Sequence, residues 1–85
     1  MPYYLLLSRS ITQAQRMSAA LERAGLTARY GRAPVTLSDR GCGYAVRVSA
    51  GKLHEAMEVL ARAGLQPTRV FQAKGDGAYR EVPLP

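Results

Sequence analysis

The sequence predicts an α+β domain, a two-layer sandwich in which a four-stranded antiparallel sheet carries both helices on one face. Three observations lead there. Short apolar or alternating runs occur at four places and read as strands. Between them, at two places, apolar residues recur at helical spacing and stop at a glycine. The halves also echo each other, since Leu21-Glu22-Arg23-Ala24-Gly25-Leu26 matches Leu60-Ala61-Arg62-Ala63-Gly64-Leu65 and each copy leads into a strand.

Tyr3-Tyr4-Leu5-Leu6-Leu7 is apolar on both faces and predicts a first strand in the middle of the sheet. Ser10 offers an N-cap, with Gln13 three residues on as in a capping box. Ile11, Ala14, Met17, Leu21 and Ala24 follow on one helical face, so the first helix is expected over 12–24, with Gly25 closing it. Thr27 to Arg32 is a weakly signalled second strand. Residues 33–42 form a polar connection. Gly43 to Ser49 alternates, Tyr44, Val46 and Val48 facing one way and Ala45 and Arg47 the other. Ser49 or Gly51 opens a second helix, whose stripe is Leu53, Ala56, Met57, Leu60 and Ala63, stopped by Gly64. Thr68 to Ala73 is the fourth strand. The domain is thus expected over 1–77, with 78–85 as an extended C-terminal tail.

Two strand-helix-strand units with right-handed crossovers make the ferredoxin-like βαββαβ sandwich. Strand order 4-1-3-2 places the apolar-rich first and third strands inside. The face away from the helices then carries either Tyr4 and Leu6 or Tyr3, Leu5 and Leu7, and the pattern does not choose between them. An apolar sheet face of this kind suits self-association, so a homodimer through the open face is one expectation.

Composition narrows the classes. Eighty-five residues make one domain, 47% hydrophobic and 21% charged. One cysteine makes no intramolecular disulfide, and the longest apolar run is too short to span a membrane. A cytoplasmic protein without membrane attachment is the expectation. The net charge is +6, with ten Arg against two Lys, but the arginines are spread along the chain and form no basic block.

The one place suggesting chemistry is Asp39-Arg40-Gly41-Cys42-Gly43-Tyr44. Glycines on both sides strip steric cover from the Cys42 thiol, and Arg40 favours the thiolate, its nucleophilic form. The plain alternative is a small buried hydrophobe. His54 is the only histidine. One His and one Cys cannot complete a zinc site, so no metal is expected. The strand starting at Gly43 carries the chain roughly 20 Å from Cys42 before His54, which argues against a Cys–His pair. No paired carboxylates or triad elements can be assembled, so the chain is expected not to be an independent enzyme and to use no cofactor. Gly75-Asp76-Gly77 is a turn signal with no helix after it to hold phosphate.

Arg40-Gly41-Cys42-Gly43-Tyr44-Ala45-Val46 partly overlays the third-strand pattern of RNA-recognition motifs. Tyr44 with Tyr3 or Tyr4 would then stack bases of single-stranded RNA. Cys42 and Arg47, however, stand where that pattern has aromatics, and each lost stacking position removes about 1–3 kcal/mol. A third reading is a regulatory or scaffold dimerisation domain with Cys42 simply packed.

The opening Tyr-Tyr-Leu-Leu-Leu strand, both helix ends quoted above and the Cys42-Gly43 pair entering a strand resemble the small bacterial family called Putative Se/S carrier protein-like. The resemblance covers nearly the whole chain, and Cys-Gly is its distinctive part. It implies that Cys42 accepts sulfur or selenium from a donor protein and passes it to an acceptor protein. Gly41 and Gly43 would permit docking, and Arg40 and Arg47 would stabilise the anion. The family often has Ser just before its cysteine, where this chain has Asp39-Arg40-Gly41.

Overall fold

A computed structural model describes residues 2–37 and 43–84. β1 runs over Tyr3–Ser8, α1 over Ile11–Arg23, β2 over Arg29–Arg32 and β3 over Tyr44–Ser49. A short 3-10 turn, Ala50–Lys52, leads into α2, Leu53–Arg62, followed by β4, Arg69–Ala73, and β5, Tyr79–Val82. All pairings are antiparallel, in the order β2-β3-β1-β4-β5. The expected four-stranded sheet is therefore corrected to five.

The fifth strand comes from the segment expected to be a tail. The Lys74 N–H donates to the Ala78 carbonyl at 3.0 Å, and the Asp76 carboxylate accepts the Ala78 N–H at 2.9 Å. Gly75 and Gly77 have φ of 87° and 86°, a region that side-chain-bearing residues rarely enter. Together they reverse the chain and lay Tyr79 opposite Ala73 and Val82 opposite Val70. The signal was present in Asp76-Gly77, a strong hairpin dipeptide, but the four residues after it are only weakly apolar.

α1 begins as its sequence implies, Ser10 accepting the Gln13 N–H at 3.0 Å. The reciprocal half of the capping box is not made. The Gln13 amide instead donates to the Gln66 carbonyl at 3.2 Å, and the Ser10 N–H donates to the Ser8 hydroxyl at 3.3 Å. Both helices close on left-handed glycines, Gly25 and Gly64, and in each the leucine after it donates back to a leucine carbonyl at 2.9 Å. Two polar contacts tie the chain after α1 to the helix. The buried Ser18 hydroxyl donates to the Ala28 carbonyl at 2.6 Å, and the Ala28 N–H donates to the Glu22 carboxylate at 3.0 Å.

Why β1 is apolar on both faces becomes plain from the packing. Leu6, Val46, Val48 and Val70 face α1 and α2, against Ala14, Met17, Leu21, Ala56 and Leu60. Leu5, Leu7, Ala45 and Phe71 face the other way and form a second, smaller cluster with Ala33 and Leu37. Of the two alternatives for the open face, the structure therefore selects Tyr3, Leu5 and Leu7. That face is not bare, because the segment after β2 folds over Leu7 and excludes it from water completely. β2 stays exposed along its whole length and forms one sheet edge.

Candidate functional site

Cys42, Arg40 and Gly41 lie outside the described residues. The chain on either side is anchored. Before them, Pro34–Leu37 forms a turn in which the Leu37 N–H donates to the Pro34 carbonyl at 2.9 Å, and Leu37 is buried in the second cluster. After them, the Gly43 carbonyl accepts the Ala33 N–H at 3.0 Å, extending the β2–β3 ladder by one bond. Val35, at the turn, is 90% exposed.

Gly43 has no positive φ, and a Cβ built there meets no atom of the described residues within 4 Å. Neither backbone conformation nor internal crowding requires a glycine at this position.

Arg47 does not stand at that end of β3. It lies four residues beyond Gly43, about 13 Å along an extended strand, opposite Leu5 on one side and Arg29 on the other. Its guanidinium lies 3.8 Å from the centroid of the Tyr3 ring. Arg47, expected to support the anion on Cys42, is carried along β3 away from Gly43 and lies against Tyr3, while Cys42 itself lies outside the described residues. Among the described residues, the cation near Gly43 is Arg32, whose guanidinium is 5.6 Å from the centre of the Tyr44 ring. Sequence reasoning missed it, since β2 is weakly signalled and its register against β3 is not written in composition.

The tyrosines named for RNA stacking are not brought together. Tyr4 and Tyr44 face the helices and pack, half-buried, against the larger cluster. They also sit at opposite ends of the β1–β3 pair, Tyr4 opposite Val48 and Tyr44 opposite Ser8. Tyr3 lies on the other face. No two-strand aromatic platform results: Tyr3 and Tyr44 point to opposite faces, and Tyr4 shares the Tyr44 face only at the far end of the pair, on the side the helices cover.

Tyr3 has different company, which includes a residue from the presumed tail. A side-chain hydrogen bond with Tyr3 raises the Tyr79 hydroxyl above its ordinary pKa, burial adds to this, and the Arg47 charge opposes it. Around these residues lie two adjoining depressions on the sheet face. One, of about 270 Å³, is lined by Pro2, Tyr3, Thr27, Arg29, Arg47 and Ser49. The other shares Tyr3 and Arg47 and extends to Tyr79 and the Gly75–Gly77 turn.

His54 is an exposed residue of α2, 3.7 Å from the Glu58 carboxylate and unconnected with the Gly43 end. Among the described residues no group of three or more His, Cys, Asp or Glu could hold a metal ion. Among them, too, no helix is long and apolar enough to cross a membrane.

Fold and site together define a small α+β domain whose one cysteine stands in the connection between two neighbouring strands. Residues 3–72 match the family model described as Putative Se/S carrier protein-like, and the chain belongs to that family. The matched stretch contains Cys42 and ends before β5. No curated protein and no solved structure gives a match.

Proposed function

We propose that this chain carries a single sulfur or selenium atom on Cys42 between a donor and an acceptor protein. The observation that carries the reading is the family match, which spans Cys42 with its distinctive Cys-Gly pair. Gly43 supports it, being a glycine that the fold does not need. So does the exposed Val35 on the same connection, an apolar side chain available to a docking protein.

The chemistry balances without a cofactor. The Cys42 thiolate attacks the terminal sulfur of a donor persulfide. A new sulfur–sulfur bond forms on Cys42, the donor's own sulfur–sulfur bond breaks, and the donor leaves as a thiolate. Repeating the step with an acceptor thiolate discharges the carrier. With selenium the terminal atom is selenium and the electron count is the same. Such a relay needs no catalytic base and has no turnover independent of its partners. Arg40, next but one to Cys42 in the chain, favours the thiolate, and Arg32, opposite Tyr44, is a described cation at the Gly43 end of β3.

Protein purified without reductant and exposed to a persulfide donor should gain the mass of one sulfur, and Cys42→Ser should gain none. Gly43→Ala should fold with unchanged stability, because its Cβ enters open space, yet slow transfer from a protein donor by about tenfold. An unmodified Cys42 that alkylates no faster than free cysteine at neutral pH would sink the reading.

A further inference from the structure

Five of the six carboxylates in the chain are described, and each is engaged elsewhere. Glu22 takes the Ala28 N–H, Asp76 the Ala78 N–H, Glu55 pairs with Lys52, Glu58 with His54 and Glu81 with Arg69. Arg29 and Arg47, by contrast, face each other directly across β2 and β3 with no described carboxylate beside them. Directly opposed residues on one face have Cβ atoms roughly 4.5–5.5 Å apart, and like charges so placed destabilise a strand pair. Both arginines line the same depression, whose rim also carries the hydroxyl-bearing residues Thr27 and Ser49.

Arg47 is also oriented. Stacking on Tyr3 occupies one flat face of its guanidinium and leaves the in-plane N–H donors at its edge for an anion. Two guanidinium groups lining one concavity suit a tetrahedral oxyanion, which accepts several charge-assisted hydrogen bonds at once.

We propose that Arg29 and Arg47 form a phosphate-binding subsite on the open sheet face, taking the phosphate group of a small phosphorylated ligand. The site is separate from the Gly43 end of β3 and does not rest on the carrier reading. The bound anion replaces the repulsion between the two arginines with two attractions. The adjoining depression, walled by Tyr79 and the Gly75–Gly77 turn, leaves room for the rest of the ligand.

The test is a titration of the full chain with inorganic phosphate and with ribose 5-phosphate, followed by two-dimensional NMR at ionic strength matched with chloride. Saturable shifts at Thr27, Arg29, Arg47 and Ser49 are expected. Arg47→Gln and Arg29→Gln should each weaken phosphate binding by at least about tenfold, as loss of hydrogen bonds to a charged group implies. Arg16→Gln, on the exposed face of α1, should leave it unchanged. Because Arg47→Gln also removes a contact to Tyr3, Arg29→Gln keeps the proposal testable, and in chloride it should melt no lower than the parent. Equal affinity for both probes assigns recognition to the phosphate alone. Tighter ribose 5-phosphate assigns the adjoining depression to the remainder of the ligand. Shifts that never saturate and spread over all arginines, or full affinity in both Gln variants, would overturn it.

Discussion

Leu6→Ala and Leu7→Ala should each destabilise the domain by about 2–5 kcal/mol, the range for truncating a fully buried leucine. Both side chains are 0% exposed. For a domain of this length the whole unfolding free energy is expected to be only about 4–13 kcal/mol, so either change removes a large part of it. Equality of the two is the informative result. Leu6 faces two helices, whereas Leu7 faces the side without helices and is enclosed by Ala33, Leu37 and Phe71. Urea unfolding of both variants measures this directly. A Leu7→Ala cost within about 0.5 kcal/mol, the level of an ordinary surface substitution, would mean that the segment 33–37 does not close over the sheet. Since that segment leads into the Cys42 connection, Leu7→Ala should also loosen the approach to the thiol. Leu6→Ala should not do so while the protein remains folded.

Truncation after Lys74, removing β5, should lower stability by about 2–4 kcal/mol. Three half-buried apolar residues are lost, Tyr79, Val82 and Leu84, each contributing roughly 1 kcal/mol, together with the β4–β5 ladder. For a domain of this size the midpoint of thermal unfolding should fall by about 10–20 °C. The truncated protein should also associate at lower concentration, because β4, with its apolar Val70 and Phe71, becomes an open edge. Calorimetry and light scattering together check both parts, and an unchanged midpoint would show that β5 merely lies against the sheet.

The same strand carries a pH signature. Arg69 donates to Glu81 through two nitrogens, at 3.1 and 2.8 Å, and this hydrogen bonding holds the Glu81 carboxyl below its ordinary pKa. A lowered folded-state pKa stabilises above the unfolded value and loses that contribution as pH falls through the folded value. Acid below the ordinary glutamate range should therefore loosen β5 before the rest of the sheet. Amide exchange at residues 79–82 measured from neutral pH downwards reads this out, and uniform protection across the sheet would contradict it.

Both helices, with their caps and glycine stops, were legible in the sequence to within one or two residues at α1, because capping and helical periodicity are local properties. The first four strands were legible for the same reason. The start of α2 was less so, since a 3-10 turn intervenes where Ser49 and Gly51 were the candidate starts. At the candidate site, Cys42 and Gly43 were visible as a chemical oddity and as a family feature. Arg32, Tyr79 and the facing of Arg29 with Arg47 were not, since each depends on which strand pairs with which and in what register.

By itself the sequence determined the succession of the first four strands and both helices, the two-sided apolar character of β1 and the family that carries Cys42. Tertiary structure alone decided that Tyr3, Leu5 and Leu7 face away from the helices, that the last residues return as a fifth strand, and that two arginines meet across β2 and β3. The reason is physical. A period of two says that neighbouring side chains point to opposite sides, but only packing settles which side meets the helices, and only pairing settles which charges become neighbours.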